Sequence, residues 1–229
     1  MRTHQIKHGH ADFSDLEAEA RHPKHGPLPE PVIKRFGVVE YEPALKAMQR
    51  FTELRQEDTP DQIWLLQHPP VFTLGLNGKP EHLLHDLGIP VIKVDRGGQI
   101  TYHGPGQLVV YLLLDLKRLH LGVRDLVRRM EHAVIELLAN FGVAAQGRED
   151  APGVYVHEAK VAALGLRVKR GCTYHGLALN VDMDLKPFAA INPCGYEGLA
   201  VTQLKDLGIE PDLPHIAEQL LKKLLKNLY

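Results

Sequence analysis

The feature that most constrains the fold is a polar, glycine-rich stretch that leads at once into an apolar one, DRGGQITYHGPGQLVVYLLLDL, residues 95–116. The run Leu108 to Leu114 is short, continuous and rich in valine, leucine and tyrosine, which predicts a fully buried strand. Glycine allows backbone angles and close approaches that a Cβ forbids, so the cluster before the strand marks a tight turn or a contact with a ligand. An ordinary hairpin has the same pattern, so at this point both interpretations stay open.

The bulk composition is that of a globular protein and favours no charged partner. The chain has 229 residues, enough for one large domain, and a net charge of −1, which gives no support to a nucleic-acid or anionic-membrane partner. Two cysteines are too few for a disulfide framework and favour a reducing compartment. The N-terminus lacks the apolar segment of a secretory signal, and no run approaches the roughly 20 apolar residues of a membrane span. We therefore expect a cytoplasmic protein with no nucleic-acid and no membrane partner.

Residues 1–31 differ in composition from the rest of the chain. They are polar and contain five of the fourteen histidines and four prolines. The irregular spacing of the histidines favours a solvated, poorly ordered extension over a metal-binding tail. We therefore expect two parts, a disordered extension over 1–31 and a single folded domain over 32–229.

The hydrophobic pattern of the folded part predicts more strands than helices. Three- and four-residue steps predict helices over Pro43–Arg55, over Val123–Phe141 with a cap at Gly142, and over a final segment from Ile216 to Leu228. Short apolar runs predict strands, and residues 169–171 suit a hairpin turn. This pattern indicates an α+β (α/β) domain with a mixed, mostly antiparallel sheet flanked by helices. The predicted strands are Ile63–Gln67, Val91–Val94, Leu108–Leu114, Gly153–Val156, Lys160–Val168 and Cys172–Val181.

The glycine-rich loop Arg96–Gln107 is the first candidate for chemistry. It has neither the GK[ST] of a phosphate-binding loop nor the GxGxxG of a dinucleotide site. Arg96 is suited to hold an anion, and His103 to act as acid, base or hydrogen-bond donor. The alternative for His103 is a half-buried histidine that caps the turn.

Lys160 and Cys194 are the other candidates. Lys160 begins an apolar strand. If it points inward, apolar neighbours disfavour its charge, and if it points outward it is a solvated edge-strand charge, which the sequence alone favours. Cys194 lies between a proline and a glycine, which predicts a constrained turn with a reactive thiol, and a nearby cation such as Lys160 would lower the pKa of that thiol. Cys172, inside a predicted strand, is interpreted as a small buried hydrophobic residue. The cysteines are 22 positions apart without CxxC or HxxxH patterns, so we expect no metal site.

Four blocks of the sequence resemble those of a known family. They are RGGQITYHGPGQLVVY from Arg96, KVAALGLRVKRGCTYHGLALNV from Lys160, INPCGYEG from Ile191 and HPPVFTLG from His68. In order and spacing they are similar to the conserved blocks of the lipoyl(octanoyl) transferases, the bacterial octanoyl-acyl-carrier-protein:protein transferases. The resemblance covers roughly Val32 to Leu207 and says nothing about residues 1–31.

The resemblance implies a fold, a reaction and a set of site residues. The fold would be that of the biotin and lipoate protein ligases. Cys194 would take an octanoyl group from octanoyl-acyl carrier protein, Lys160 would lower the pKa of the thiol, and no cofactor would be needed. A lysine of a lipoyl domain, in 2-oxoacid dehydrogenase complexes or the glycine cleavage H protein, would then accept the acyl group. The acyl-pocket positions that the resemblance implies are Arg96, Gly97, Gly98, Gln99, Ile100, Thr101, Tyr102, His103, Ala163, Leu164, Gly165, Gly176, Leu177 and Ala178.

Two other functions are considered against this one. An ATP-dependent lipoate or biotin protein ligase shares the fold and also keeps a lysine near the position of Lys160, so that lysine does not discriminate. Cys194 and the RGG…TYHGPGQ block distinguish the transferase from these ligases, because a thioester-to-thioester exchange through a cysteine needs no nucleotide. A non-catalytic module that binds lipoyl or carrier domains would have a dispensable Cys194 and form no acyl adduct.

Overall fold

The computed structural model of the protein describes residues 30–192, 198–210 and 212–229. Within these ranges, ten strands form one larger and one smaller sheet, and three α-helices pack on the two faces of the larger one. The helices are α1 (Tyr41–Leu54), α2 (Val123–Ala139) and α3 (Leu213–Leu228). The strands are β1 (Val32–Val38), β2 (Gln62–Gln67), β3 (Val71–Leu74), β4 (Val91–Lys93), β5 (Ile100–His103), β6 (Gln107–Leu113), β7 (Gln146–Gly147), β8 (Gly153–Val156), β9 (Ala159–Lys169) and β10 (Cys172–Asn180).

The larger sheet has seven strands in the order β1-β2-β6-β10-β9-β8-β7, and the smaller has three in the order β4-β3-β5. In the larger sheet β1 and β2 are parallel and the remaining neighbours are antiparallel. In the smaller sheet β3 is parallel to β4 and antiparallel to β5. The predicted mixed, mostly antiparallel sheet in one domain is therefore confirmed.

Strand β6 explains why the sequence contains a continuous apolar run. Its side chains alternate between the two faces of the sheet, as strand geometry requires. Leu108, Val110 and Leu112 pack against α2 and α3, whereas Val109 and Tyr111 pack on the opposite face against α1. Because helices cover both faces, every position of β6 is buried. The apolar run is thus the signature of a strand at the centre of a three-layer core.

The helix ends follow local chemistry. The carboxylate of Asp212 accepts a hydrogen bond from the backbone N–H of His215 at 3.2 Å, which caps the start of α3. At the end of α2, Gly142 has φ +75° and Val143 N–H donates to Leu138 O at 3.1 Å, which closes the last turn. No helix within the described ranges is long and apolar enough to cross a bilayer.

Two strands of the smaller sheet were not predicted. Strands β3 and β5 have four residues each, and β5 lies inside the stretch interpreted as a glycine-rich loop. Neither is long enough to show a clear alternation of apolar and polar residues. The two strands form by pairing with each other, although about 30 residues separate them in sequence. Their apolar side chains form a separate core with Phe188, which follows the larger sheet in the chain. Helix α1, which was predicted to begin at Pro43, begins at Tyr41.

Candidate active site

A pocket lies between the glycine-rich loop, the first part of β6 and strands β9 and β10. Its wall is mainly apolar side chains and glycine backbone. It contains every acyl-pocket position expected from the sequence except Gly97 and Tyr102, and it also contains Lys160. Lining residues that were not expected are Tyr41, Gln107, Val109, Tyr111, His175, Asn180, Phe188 and Val201.

Gly97 and Tyr102 support the wall from behind. The N–H of Gly97 donates to Leu166 O at 2.8 Å, which fastens the glycine-rich loop to β9. The ring of Tyr102 packs against Phe72 and Phe188, with ring centroids 5.5 Å apart in each pair. Both residues therefore hold the pocket wall in place without facing the pocket.

Two glycines in the strands allow the backbone to approach closely. A Cβ on Gly165 would lie 3.2 Å from both Arg96 Cδ and Gly97 O, so a side chain there would push the loop away from β9. A Cβ on Gly176 would lie 2.1 Å from Val110 O, a distance that strands β10 and β6 cannot accommodate. The wall on this side is thus made of main chain.

The guanidinium of Arg96 is buried and bound to the protein's own scaffold. Its Nη2 donates to the carbonyl oxygen and the hydroxyl of Thr73 at 2.7 and 2.8 Å, and Nη1 donates to Gly97 O at 2.9 Å. These bonds tie the glycine-rich loop to β3. The expected use of Arg96 as an anion clamp is not supported by this arrangement.

His103 is neutral and part of a buried hydrogen-bonded chain. The side-chain amide of Gln107 donates to Tyr102 O and to Asn180 Oδ1, at 3.2 and 3.0 Å, so its Oε1 accepts from His103 Nδ1 at 2.7 Å. Nε2 of His103 is then an acceptor for the hydroxyl of Thr73 at 3.4 Å. Burial lowers the pKa of His103 to about 3. The structure therefore favours the structural interpretation of His103 over an acid–base one.

A second neutral histidine lies beneath the pocket. His68 Nδ1 donates to Val39 O at 2.7 Å, which leaves Nε2 to accept from the hydroxyl of Tyr111 at 2.7 Å. Burial lowers the pKa of His68 to about 4. The sequence reasoning did not single out His68, although it is the first residue of the HPPVFTLG block.

Asp95, Tyr174 and His175 form a third polar group at the pocket. The carboxylate of Asp95 accepts hydrogen bonds from the Tyr174 hydroxyl and, at 3.2 Å, from His175 Nε2. Desolvation opposes ionisation of Asp95, but the bonds from His175 and Tyr174 outweigh it, so the pKa of this carboxyl is lowered. His175 lines the pocket with φ +63°, and the sequence offered as its signal only a histidine directly before a glycine in a predicted strand.

Lys160 points into the protein. Strand β9 lies between β8 and β10, and Lys160 is 4% exposed, so the edge-strand interpretation is wrong. Its Nζ lies 3.4 Å from Pro152 O and 5.1 Å from the centroid of the Tyr155 ring. An inward orientation depends on pairing with β8, which the sequence of β9 alone does not reveal.

The backbone of Lys160 is paired with the chain that follows Cys194. Its N–H donates to Ala200 O at 2.8 Å, and its carbonyl accepts from Thr202 N–H at 3.0 Å. Before the cysteine, Asn192 N–H donates to His82 O at 2.9 Å. Cys194 itself lies outside the described residues.

Cys172 lies away from the pocket. It begins β10 at the end opposite Asn180, is half-buried, and burial raises the pKa of its thiol. In the described ranges, no three side chains of His, Cys, Asp or Glu are grouped so that they could hold a metal ion.

Solved structures show the same fold at low sequence identity. A bi-partite lipoate protein ligase from Thermoplasma acidophilum superimposes with a TM-score of 0.72 at 17% identity, covering 87% of this chain and 84% of the other. A biotin protein ligase from Aquifex aeolicus gives a TM-score of 0.55 at 15% identity, covering 86% and 70%. The expected ligase-like fold is thereby confirmed, and these likenesses carry no more than the fold.

Similar sequences identify the family. The model of the lipoyl protein ligase A/B catalytic domain matches residues 40–225. An octanoyltransferase of Dechloromonas aromatica is 61% identical over 198 residues, which cover 86% of this chain and 97% of that protein. An octanoyltransferase of an Azoarcus species is 63% identical over 198 residues, covering 86% and 87%. With the ligase-like fold and the lined pocket, these matches show that the chain belongs to the octanoyltransferases of the lipoyl protein ligase A/B catalytic-domain family and is an acyltransferase that acts in protein lipoylation.

Proposed function

We propose that this octanoyltransferase carries the acyl group on Cys194 as a thioester. The observation that supports it best is the pairing of Lys160, a buried lysine of the pocket, with residues 200–202, which follow Cys194 closely in the chain. Cys194 and Ala200 are six positions apart in the chain, a distance of at most about 22 Å, so the thiol is tethered to the region of Lys160. Cys172, which lies at the other end of β10 and has a raised pKa, is the weaker nucleophile.

The two transfer steps balance without a nucleotide. In the first, the Cys194 thiolate attacks the thioester carbonyl of the donor. One carbon–sulfur bond forms and the donor's breaks, and the donor sulfur leaves as a thiol after taking a proton from the Lys160 ammonium, which becomes neutral. In the second, a neutral lysine amine attacks the acyl-enzyme. A carbon–nitrogen bond forms, the carbon–sulfur bond breaks, and the amine proton passes to a base. The charged form of Lys160 stabilises the thiolate in the first step, and its neutral form takes the proton in the second.

The pocket suits a saturated chain. His103 and His175, which line it, and His68 beneath it all have lowered pKa values because burial disfavours their charge, so His103 and His175 present neutral rings to the chain. The charge of Arg96 is directed at carbonyl and hydroxyl oxygens of the protein. Each methylene buried in such a slot contributes about 0.8 kcal/mol, so eight carbons give substantial binding free energy.

We propose the substrates that the resemblance to the octanoyltransferases implies. The donor is octanoyl-acyl carrier protein. The acceptors are lipoyl domains of 2-oxoacid dehydrogenase complexes and the glycine cleavage H protein. The reaction is assigned to residues 32–229 and to the cytoplasm, in keeping with a chain of only two cysteines.

Intact-mass spectrometry after incubation with octanoyl-acyl carrier protein tests the proposal. We expect the mass of one octanoyl group on the wild-type enzyme, without ATP, and its release when a lipoyl domain is added. Cys194→Ser abolishes both the adduct and transfer, because a serine hydroxyl is a far weaker nucleophile at neutral pH. Cys172→Ser is the matched control and keeps the adduct and most of the activity. Full transfer by Cys194→Ser, or an adduct that requires ATP, contradicts the thioester mechanism.

A further inference from the structure

The connection between β3 and β4 exposes an unusual concentration of apolar side chains. Four large ones fall within residues 76–91, and the other exposed large apolar side chains in the described part of the chain, Val123, Phe141 and Tyr229, are far apart in sequence. Exposed apolar side chains that are grouped on one connection, rather than scattered singly, are typical of a site where a protein partner binds. We call the four residues the β3–β4 apolar surface: Leu76, Leu84, Leu87 and Val91, which are 58, 45, 49 and 43% exposed.

This surface adjoins the pocket on two sides. The N–H of Leu76 donates to Arg96 O at 3.0 Å, and Arg96 belongs to the pocket wall. The N–H of Leu84 donates to Ala190 O at 2.8 Å, two residues from Phe188, which also lines the pocket. The connection is therefore joined both to the glycine-rich loop and to the chain that leads to Cys194.

The backbone under this surface is held in place, and the connection carries a net charge of only −1, from Lys79, Glu81 and Asp86 with neutral histidines. Gly88 N–H donates to Asp86 Oδ1 at 2.8 Å, and Phe72 N–H donates to Pro90 O at 2.8 Å. The ammonium of Lys79 pairs with Glu81 at 3.4 Å. An ordered, apolar and nearly uncharged surface binds a partner with little loss of conformational entropy and without a preference for a strongly charged face.

We propose that the β3–β4 apolar surface docks the acceptor protein, the folded domain that presents the target lysine; this inference rests on the proposed function. A lysine side chain extends roughly 6 Å from its Cα, so the body of the acceptor must touch the border of the pocket for its amine to reach the acyl carbon. The donor presents its thioester at the end of a longer prosthetic arm, so its protein body can remain farther away. Of the two protein substrates, the acceptor is thus the one that this border must contact.

The test separates loading of the enzyme from its discharge. The double variant Leu84→Ser/Leu87→Ser is loaded from octanoyl-acyl carrier protein, and the acyl-enzyme is then discharged by increasing concentrations of a folded lipoyl domain. We expect the half-saturating concentration of the lipoyl domain to rise about tenfold or more, as loss of buried apolar contacts does at an interface. The loading rate stays within twofold of wild type, and discharge by hydroxylamine, a small nucleophile that needs no docking surface, is unchanged.

The matched control is Val123→Ser/Phe141→Ser, which removes two exposed apolar side chains elsewhere and leaves both steps unchanged. Leu76→Ser, at the other end of the connection, repeats the test if the double variant fails to fold. Slower loading with normal discharge means that the donor docks here and overturns the proposal, as do two unchanged steps. If the wild-type enzyme forms no acyl adduct at all, the proposed function has failed instead.

Discussion

Strands β6 and β10 carry a buried polar cluster at each end, and the two clusters differ in charge. At the end where β10 begins, the carboxylate of Asp61 accepts hydrogen bonds from Arg118, from Arg55 at 2.6 Å and from the Tyr229 hydroxyl at 2.9 Å. At the end where β10 finishes, Asn180 and its partners are neutral amides and imidazoles. The first cluster joins segments distant in sequence, and the second lines the pocket.

The difference shows how one scaffold separates stability from substrate binding. Buried charges need complete pairing, which Asp61 obtains from two guanidinium groups, and such a site is closed to other partners. Neutral polar groups satisfy one another at a lower desolvation cost and can lie beside a hydrocarbon chain. We therefore expect substitutions of polar residues at the pocket end to cost less unfolding free energy than substitutions at the charged end.

The largest expected effect is the loss of the carboxylate at the charged end. Asp61→Asn leaves Arg55 and Arg118 facing a neutral amide while both remain buried, so the free energy of unfolding should fall by about 3–5 kcal/mol. Urea denaturation measures it. The control Glu53→Gln breaks an exposed pair with Lys169 and leaves the unfolding midpoint unchanged. A wild-type midpoint for Asp61→Asn would show that the charged end does not carry stability.

The next effect concerns pH and His68, whose ring lies beside the neutral cluster, with its centroid 5.8 Å from that of His103. The pKa of His68 is about 4 in the folded protein and 6.5 ordinarily, so below pH 6.5 the unfolded chain binds a proton that the folded one does not. Stability is therefore complete above pH 6.5 and is lost as the pH falls from there toward 4. At pH 5 this costs about 2 kcal/mol.

The variant His68→Gln should reduce the difference in unfolding free energy between pH 7.5 and pH 5 by about that amount of 2 kcal/mol. Urea titrations at the two pH values measure the difference, and the exposed His132→Gln is the control. An unchanged pH dependence would mean that His68 is already charged in the folded state, and the two ends would then not differ as described.

The smallest effect concerns Lys160, a cation that lines the pocket beside the neutral cluster. If it stabilises the Cys194 thiolate, Lys160→Ala should raise the pH midpoint of iodoacetamide alkylation of Cys194 by about one unit or more. Lys160→Arg should restore a low midpoint and leave transfer to lysine impaired, because a guanidinium does not accept the proton. Alkylation measured in a Cys172→Ser background reports on Cys194 alone. An identical pH profile for the alanine variant removes Lys160 from the mechanism.

The sequence predicted the elements with long apolar runs or clear helical periodicity, and it missed short strands whose only support is a distant partner. Strand β6 was predicted because its residues from Leu108 to Leu113 are all apolar. Strands β3 and β5 are four residues long and form by pairing with each other. The inward orientation of Lys160 depends on β8 and on residues 200–202, which no local pattern of β9 reveals.

The site was predicted through its motifs more than through its geometry. The blocks marked most of the pocket, but they did not separate the residues that face it from Tyr102, which packs behind it. The block that begins at Lys160 contains His175 and Asn180 but did not mark them as pocket residues, because the approach of β10 to the glycine-rich loop is a tertiary contact.

The main-chain wall at Gly165 and Gly176 has a consequence for the evolution and engineering of chain-length preference. A wall built from side chains can be widened by one substitution, but the width of this wall is fixed by strand spacing and by the seat of the loop on β9. Larger residues there disturb the sheet, and smaller ones do not exist. Selection for longer or branched acyl groups must therefore act on the side chains of the other lining residues, such as Leu164 and Leu177. The two glycine positions continue to set the width of the slot.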